Sequence, residues 1–336
     1  MSEFIEIYGY KELLSLKDTQ AAIKLLKDNF ERFLSEELNL QRVSAPLFVL
    51  KSSGLNDNLN GTERPVAFDI PEIPGENAEI VHSLSKWKRM ALGEYGYQIG
   101  QGLYTDMNAI RRDEVLDNTH SIYVDQWDWE LVIGKEQRNI DTLRQIVQRI
   151  FGVIKKTEKL LVSTYSQIPA ALPNEITFIS SQDLEDKYPG LSPEARETEI
   201  AREHGAVFVM QIGQKLRSGD SHGSRAPDYD DWQLNGDILF YCPVLRRALE
   251  MSSMGIRVDE ASLVSQLREI GCEDRLNLSF HKRLANGELP YTVGGGIGQS
   301  RLCMYFLQKA HIGQVQASLW DSHTMQACKK HGITLL

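Results

Sequence analysis

Gly294-Gly295-Gly296-Ile297-Gly298-Gln299-Ser300-Arg301 runs straight into an apolar helical stretch, residues 301–307. Glycines let the main chain approach a ligand closely. A helix that follows them turns its first amides toward an anion or a planar ring. Arg301 lies at that helix start, where its charge opposes the helix dipole. A cation placed there is in the service of an anion. Up to Arg301 a plain Gly-rich turn reads the same way. The spacing does not fit Gly-x-Gly-x-x-Gly, and no acidic residue follows on a second strand, so a doubly wound dinucleotide fold is poorly supported.

Outward from this segment the pattern is mixed. Ala22, Leu26, Phe30, Phe33 and Leu34 fall at three- and four-residue steps, which predicts a helix over 19–38. A β segment over 43–49 follows, placed at an edge or a bulge because Pro46 cannot donate to a ladder. Residues 103–112 and 121–130 form a strand pair. The second strand alternates, with Ile122, Val124, Gln126 and Asp128 on one face and Tyr123, Asp125, Trp127 and Trp129 on the other. The tryptophans read as core under the sheet. The other face turns from apolar to polar, as a strand entering a pocket or emerging into solvent would. Leu143, Ile146, Val147, Ile150 and Ile154 stripe a helix over 141–165. Ser192-Pro193 opens another helix and Gly205 closes it. Strands over 206–213, 236–241 and 251–258 and a helix over 261–270 complete the pattern. Without βαβ alternation this predicts an α+β fold, an antiparallel sheet flanked by helices, with an irregular lead-in at 1–17 and one domain over 18–336.

The chain has 336 residues, 42% hydrophobic and 25% charged, enough for a substantial core. A net charge of −9 argues against broad attraction to nucleic acid. Cys242, Cys272, Cys303 and Cys328 lie 25 to 31 residues apart, outside zinc or redox spacing, and read as free thiols of the cytoplasm. No secretory leader is expected from the first residues, and no apolar run reaches the roughly 18 residues of a membrane span. P-loop, His-Glu-x-x-His and Gly-x-Ser-x-Gly motifs are absent.

Three groups carry chemistry. Arg111 and Arg112 end a strand, and a guanidinium fork suits phosphate, though such a cluster is equally a solvated turn. Asp237 and Glu250 flank strands and offer hard oxygens for Mg²⁺ held jointly with phosphate. The acidic loop 225–232 either joins them or is solvated.

These residues resemble the class II aminoacyl-tRNA synthetase core. The helix leading to Pro46 is similar to its first motif, Arg111 with Asp113-Glu114 to its second, and 294–301 to its third. Val124-Asp125-Gln126-Trp127-Asp128-Trp129-Glu130 and His82-Ser83-Leu84-Ser85-Lys86-Trp87-Lys88-Arg89 resemble aspartyl-tRNA synthetases. More closely, these strings, Asn56-Asp57-Asn58-Leu59-Asn60-Gly61 and segments 225–232, 234–239, 252–258 and 294–302 resemble the ammonia-dependent asparagine synthetases, over about 18–320. The lead-in is about ten residues longer than that family suggests, and the 217–235 loop is divergent and short. The resemblance implies a cytoplasmic homodimer, paired through the Pro46 segment, that makes asparagine from aspartate, ammonia and ATP through β-aspartyl-AMP. It implies Lys88 on the side-chain carboxylate and Arg111 on the α-phosphate. Gln126 and Asp128 would line the pocket. Asp57 would hold the amino group or deprotonate ammonium. Gly296, Gly298 and Arg301 would meet ATP, and Asp237 and Glu250 would hold Mg²⁺. Ser83, Ser252 and Arg257 would touch substrate. An aspartyl-tRNA synthetase-like aminoacylase and a non-catalytic regulatory paralogue are the alternatives. The first is disfavoured by the charge and by the want of a segment long enough for an anticodon domain.

Overall fold

The computed structural model describes residues 4–57, 59 and 63–336; Asn58, Asn60 and Gly61 of the expected Asn56–Gly61 string lie outside it. The chain runs through α1 (Leu16–Leu38), β1 (Leu40–Arg42), β2 (Phe48–Leu50), β3 (Ala67–Asp69), β4 (Asn77–Ile80), α2 (Ser85–Glu94), β5 (Gly102–Ile110) and β6 (Tyr123–Val132). It continues through α3 (Ile140–Thr164), β7 (Thr177–Ser180), α4 (Ser181–Lys187), α5 (Pro193–His204), β8 (Ala206–Met210), β9 (Asp230–Cys242) and β10 (Arg247–Arg257). α6 (Glu260–Glu269), α7 (Ser279–Ala285), β11 (Thr292–Gly298), α8 (Gln299–Phe306) and α9 (Ser322–Lys330) complete it.

The main sheet has eight strands in the order β1-β5-β6-β11-β10-β9-β8-β7. The expected antiparallel sheet holds for its six central strands only. β1 pairs with β5, and β7 with β8, in parallel, so the sheet is mixed. Each parallel edge follows a connection long enough to bring the chain back to its starting end, which an antiparallel hairpin does not need. Pro46 ends the pairing of β1 rather than sitting in a strand, and β2, β3 and β4 form a separate small sheet.

One face of the main sheet is covered by α1, α3 and α8. Phe30, Leu34, Trp127, Trp129, Ile150, Ile154, Phe240 and Ile297 meet there in one buried cluster, and Phe30 and Trp127 pack with ring centres 4.5 Å apart. Helix ends follow the local signals. Ser192 caps α5 from its side chain with Pro193 in the first turn, and Gly205 closes it at φ +77°.

The lead-in is not loose. Ile5 donates its amide to Asn118 Oδ1 at 2.7 Å. Phe4, Ile7 and Tyr10 pack beside Cys328, Ile333 and Leu335. Gln314 donates to Glu12 at 3.0 Å. Among the described residues no helix is long and apolar enough to cross a membrane.

Candidate active site

The open face of the sheet carries a pocket of about 540 Å³, and most of the charged groups singled out in the sequence meet in it. Its floor is the middle of the sheet. Gly296 in β11 lies between Asp128 of β6 and Ser253 of β10. A Cβ on Gly296 would collide with Gln126 Oε1 and stand 2.9 Å from Asp128 Oδ1. A Cβ on Gly294 would strike the Glu130 carboxylate. Four glycines sit inside a central strand, where glycine normally weakens the sheet: polar side chains occupy the vacated space at Gly294 and Gly296, and Met254 with the main chain of β10 crowds Gly295. The segment is a strand rather than a turn, and Gly295, Gly296 and Gly298 border the pocket. In the helix after it, the Ser300 amide of α8 donates to Asp125 Oδ1 at 3.0 Å, so that amide is already occupied. Arg301 does reach the pocket, held 3.2 Å from the Glu250 carbonyl and 3.7 Å from its carboxylate.

Below the floor lies a buried ionic lattice. Arg257 grips Glu130 with two hydrogen bonds of 2.8 and 2.7 Å and also pairs with Asp230. Burial works against both charges, but Arg257 and Lys88 hold the Glu130 carboxyl below its ordinary range, and Glu130 and Asp230 hold Arg257 firmly protonated. Lys88 is fully buried. Its ammonium donates to Asp128 Oδ1 at 3.0 Å and to the carbonyls of Trp129 and Gly295 at 3.0 and 3.1 Å. All three of its donors are spent, and it does not line the pocket. The expected direct contact of Lys88 with a substrate carboxylate is thus replaced by a positioning one, through Asp128.

Ser252 needs a similar correction. It pairs across from Ile297, on the core face, with its hydroxyl buried. Ser253 is the serine that lines the pocket. Successive strand residues point to opposite faces, so the expectation missed by one position. A bulge between Glu250 and Ser252 reverses that alternation and puts Glu250 back on the pocket face with Asp237.

Asp57, Ser83, Arg111, Gln126, Asp128, Asp237, Glu250, Arg257, Gly296, Gly298 and Arg301 all border the pocket. Asp57 is buried and accepts from the Tyr229 hydroxyl at 3.0 Å and from the Leu59 amide at 2.9 Å. Ser83 shares a hydrogen bond with Ser85 at 2.9 Å. Burial first, and the charge of Glu250 as well, push the Asp237 carboxyl up to about 6 against the pull of Arg225, which it meets at 2.6 Å. Arg111 stands apart: among the described residues its guanidinium meets no carboxylate, and its Nε is buried without a partner.

Arg225, Tyr229, Asp230 and Ser253 also border the pocket and were not singled out. The solvated reading of loop 225–232 is wrong. Asp228 meets Lys86 at 3.2 Å, His281 at 2.9 Å and Arg275 at 3.2 Å, and Asp231 meets Arg138 at 2.8 Å. Burial opposes the Asp228 charge, yet Lys86, the hydrogen bond to His281 and Arg275 hold its carboxyl far below the usual range. The signal was present as an acidic run, but its partners lie 47 to 142 residues away, which no local pattern joins.

An eight-stranded mixed sheet with its pocket on the open face, an arginine at the end of β5 and another opening α8 make this a class II aminoacyl-tRNA synthetase-like catalytic fold. The asparaginyl-tRNA synthetase of Pyrococcus horikoshii, solved with asparaginyl-adenylate, superposes at a TM-score of 0.66 over 90% of this chain and 70% of that one, at 15% identity. That likeness speaks to fold alone. Within that fold the chain belongs to the aspartate–ammonia ligase family, whose model matches residues 17–332. It is similar to the aspartate–ammonia ligases of Ruminiclostridium cellulolyticum (60% identical over 336 residues, 100% of both chains) and Clostridium perfringens (61% over 328 residues, 98% of each).

Proposed function

We propose that this ligase forms L-asparagine from L-aspartate and ammonia, converting ATP to AMP and pyrophosphate through a β-aspartyl adenylate. The observation that carries the reading is the unpaired Arg111 guanidinium facing a pocket otherwise rich in carboxylates. Its Nε is buried without an acceptor although the residue itself is only half-buried, so the fork is free for a ligand, and its planar geometry fits a phosphoryl group. The aspartate side-chain oxygen attacks the α-phosphorus and pyrophosphate leaves. Ammonia then attacks the acyl carbon, the acyl–oxygen bond to AMP breaks, and the nitrogen loses a proton. Oxide is a poor leaving group and AMP a good one, which is why activation precedes attack. Positioning and charge stabilisation supply the catalysis.

Arg111 takes the α-phosphate and Arg301 the far end of a bent triphosphate. Asp57, fixed by Tyr229, either holds the substrate amino group or receives a proton from ammonium. Gln126 and Asp128, the latter set by Lys88, shape the aspartate seat, with Ser83 and Arg257 at its border. Asp237 and Glu250 fit Mg²⁺: the charge of Glu250 helps raise the proton affinity of Asp237, and hard oxygens suit that ion. Among the described residues no three such ligands cluster, so phosphate and water complete its shell. The ion would neutralise phosphate charge. The cytoplasmic homodimer follows the same reading, paired beside Pro46, where Leu47 and Phe48 remain 48% and 45% exposed.

The test is asparagine and pyrophosphate formation from aspartate, ATP and Mg²⁺ with ammonium, and with glutamine as a control. Ammonium-dependent asparagine supports the reading. Adenylation indifferent to ammonium points to an aminoacylase, and no turnover to a non-catalytic paralogue.

A further inference from the structure

Gln316 follows a short turn after α8 and borders the pocket while only 5% exposed. Its amide nitrogen is fully used. Nε2 donates to Ser300 Oγ at 3.1 Å and to Asp125 Oδ1 at 3.3 Å. Its carbonyl oxygen is not used: Oε1 is buried and has no partner. Turning the amide over does not help. Asp125 Oδ1 already accepts from the Ser300 amide, and Asp125 Oδ2 accepts from Lys27 at 2.9 Å. A flipped Gln316 would face an acceptor-only carboxylate with another acceptor. Asp125 therefore dictates the rotamer and leaves one bare acceptor in the pocket wall.

Orphaned buried acceptors are rare, and each asks for a reason. None of the roles assigned above uses this one. A lone carbonyl oxygen selects an N–H donor and repels a second carbonyl. Phosphate oxygens and the aspartate carboxylates are acceptors and cannot satisfy it. Among the nitrogen donors of the proposed substrates, the α-ammonium of aspartate already has Asp57 as its candidate acceptor. Two remain: the 6-amino group of the adenine base, and ammonium.

We propose that Gln316 is a specificity-determining residue whose Oε1 accepts an N–H donor from one of these two substrates, with Asp125 and Ser300 as the positioning pair that aims it. The inference rests on the proposed ligase reaction.

The test uses two variants of the full chain. Gln316→Glu keeps an acceptor oxygen but loses the donor to Asp125. Gln316→Met keeps the length and loses both. KM for ATP, ammonium and aspartate is measured for each, together with the preference for ATP over inosine triphosphate, which carries an oxygen in place of the amino group. The expected result is a KM raised about tenfold in Gln316→Met for one nitrogen donor only, with aspartate unchanged and Gln316→Glu within about threefold of wild type. A rise confined to ATP, with the preference over inosine triphosphate erased, assigns the base. A rise confined to ammonium assigns ammonia. Unchanged constants in Gln316→Met overturn the proposal. So does a Gln316→Glu variant at least as impaired as Gln316→Met, since a purely structural role suffers most from a carboxylate beside Asp125. Should wild type make no asparagine, the proposed reaction fails instead, and calorimetric titration of ATP and inosine triphosphate still reads the base arm.

Discussion

Gly295 and Gly296 are neighbours on β11, and alanine at each should fail in opposite ways. A methyl at Gly296 would stand 2.9 Å from Asp128 Oδ1 and from Gln126 Cδ, where ordinary contact begins near 3.4 Å. One or both side chains must retreat by half an ångström or more. Asp128 is pinned by Lys88 and by the Leu84 amide, so Gln126 yields, into the pocket. Misplacement on the order of 1 Å costs roughly 100-fold in rate, about 2.7 kcal/mol of barrier. The fold should tolerate the change, because φ at Gly296 is not left-handed and a flexible side chain absorbs the clash. A methyl at Gly295 would instead stand 2.5 Å from Met254 Cβ, 2.7 Å from the Ser253 carbonyl and 3.1 Å from Met254 Cα. Main chain cannot move aside without parting β11 from β10. Overpacking of this kind costs on the order of 1–3 kcal/mol, or more. Thermal melting with kcat/KM for ammonium-dependent synthesis separates the two. Gly296→Ala should melt near wild type and lose about two orders of magnitude in kcat/KM. Gly295→Ala should melt several degrees lower. Wild-type turnover in Gly296→Ala, or equal melting losses in both, would refute the reasoning.

Arg111→Ala should abolish aspartate-dependent ATP–pyrophosphate exchange while leaving the melting temperature unchanged, because no partner inside the protein loses a bond; exchange at the wild-type rate would remove the phosphate clamp. Lys88→Met should lower the melting temperature as well as activity, since it removes the cation beside Asp128 and the fully buried Glu130 at a cost on the order of 3–5 kcal/mol, and a fully stable but inactive variant would return Lys88 to direct substrate contact. His311 is buried, and burial lowers its imidazole from 6.5 to about 4. Its Nδ1 accepts from the Gly313 amide at 3.0 Å, so the proton sits on Nε2. Between those values the unfolded chain binds the proton that the folded chain refuses. This contribution is therefore whole above pH 6.5, falls by roughly 3 kcal/mol as pH drops toward 4, and then levels off. Urea melts across that range should lose this slope in a His311→Gln variant.

Elements with strong local periodicity were legible from sequence. The stripe of α1, the Ser192-Pro193 start of α5 and the alternation that sent Trp127 inward and Gln126 outward needed only neighbours within a few residues. Of the residues that border the pocket, residue type pointed to Arg111, and the family resemblance alone pointed to Asp57. What escaped was decided by long-range geometry. A strand of glycines has no apolar alternation to reveal it, and β11 is one because of side chains on β6. The bulge beside Met251 changes which residues of β10 face the pocket, and no composition signal marks it. Lys88 resembled a substrate anchor until Trp129, Gly295 and Asp128 were seen to use all its protons.

The seat of the lead-in couples segments that lie far apart in the chain. Phe4, Ile7 and Tyr10 pack against Cys328 and Ile333, and Glu12 is held by Gln314, 302 positions away. Closing so long a loop costs chain entropy before any contact rewards it. The clasp therefore gains its stability from a fold already in place, and a substitution that loosens one side releases the other.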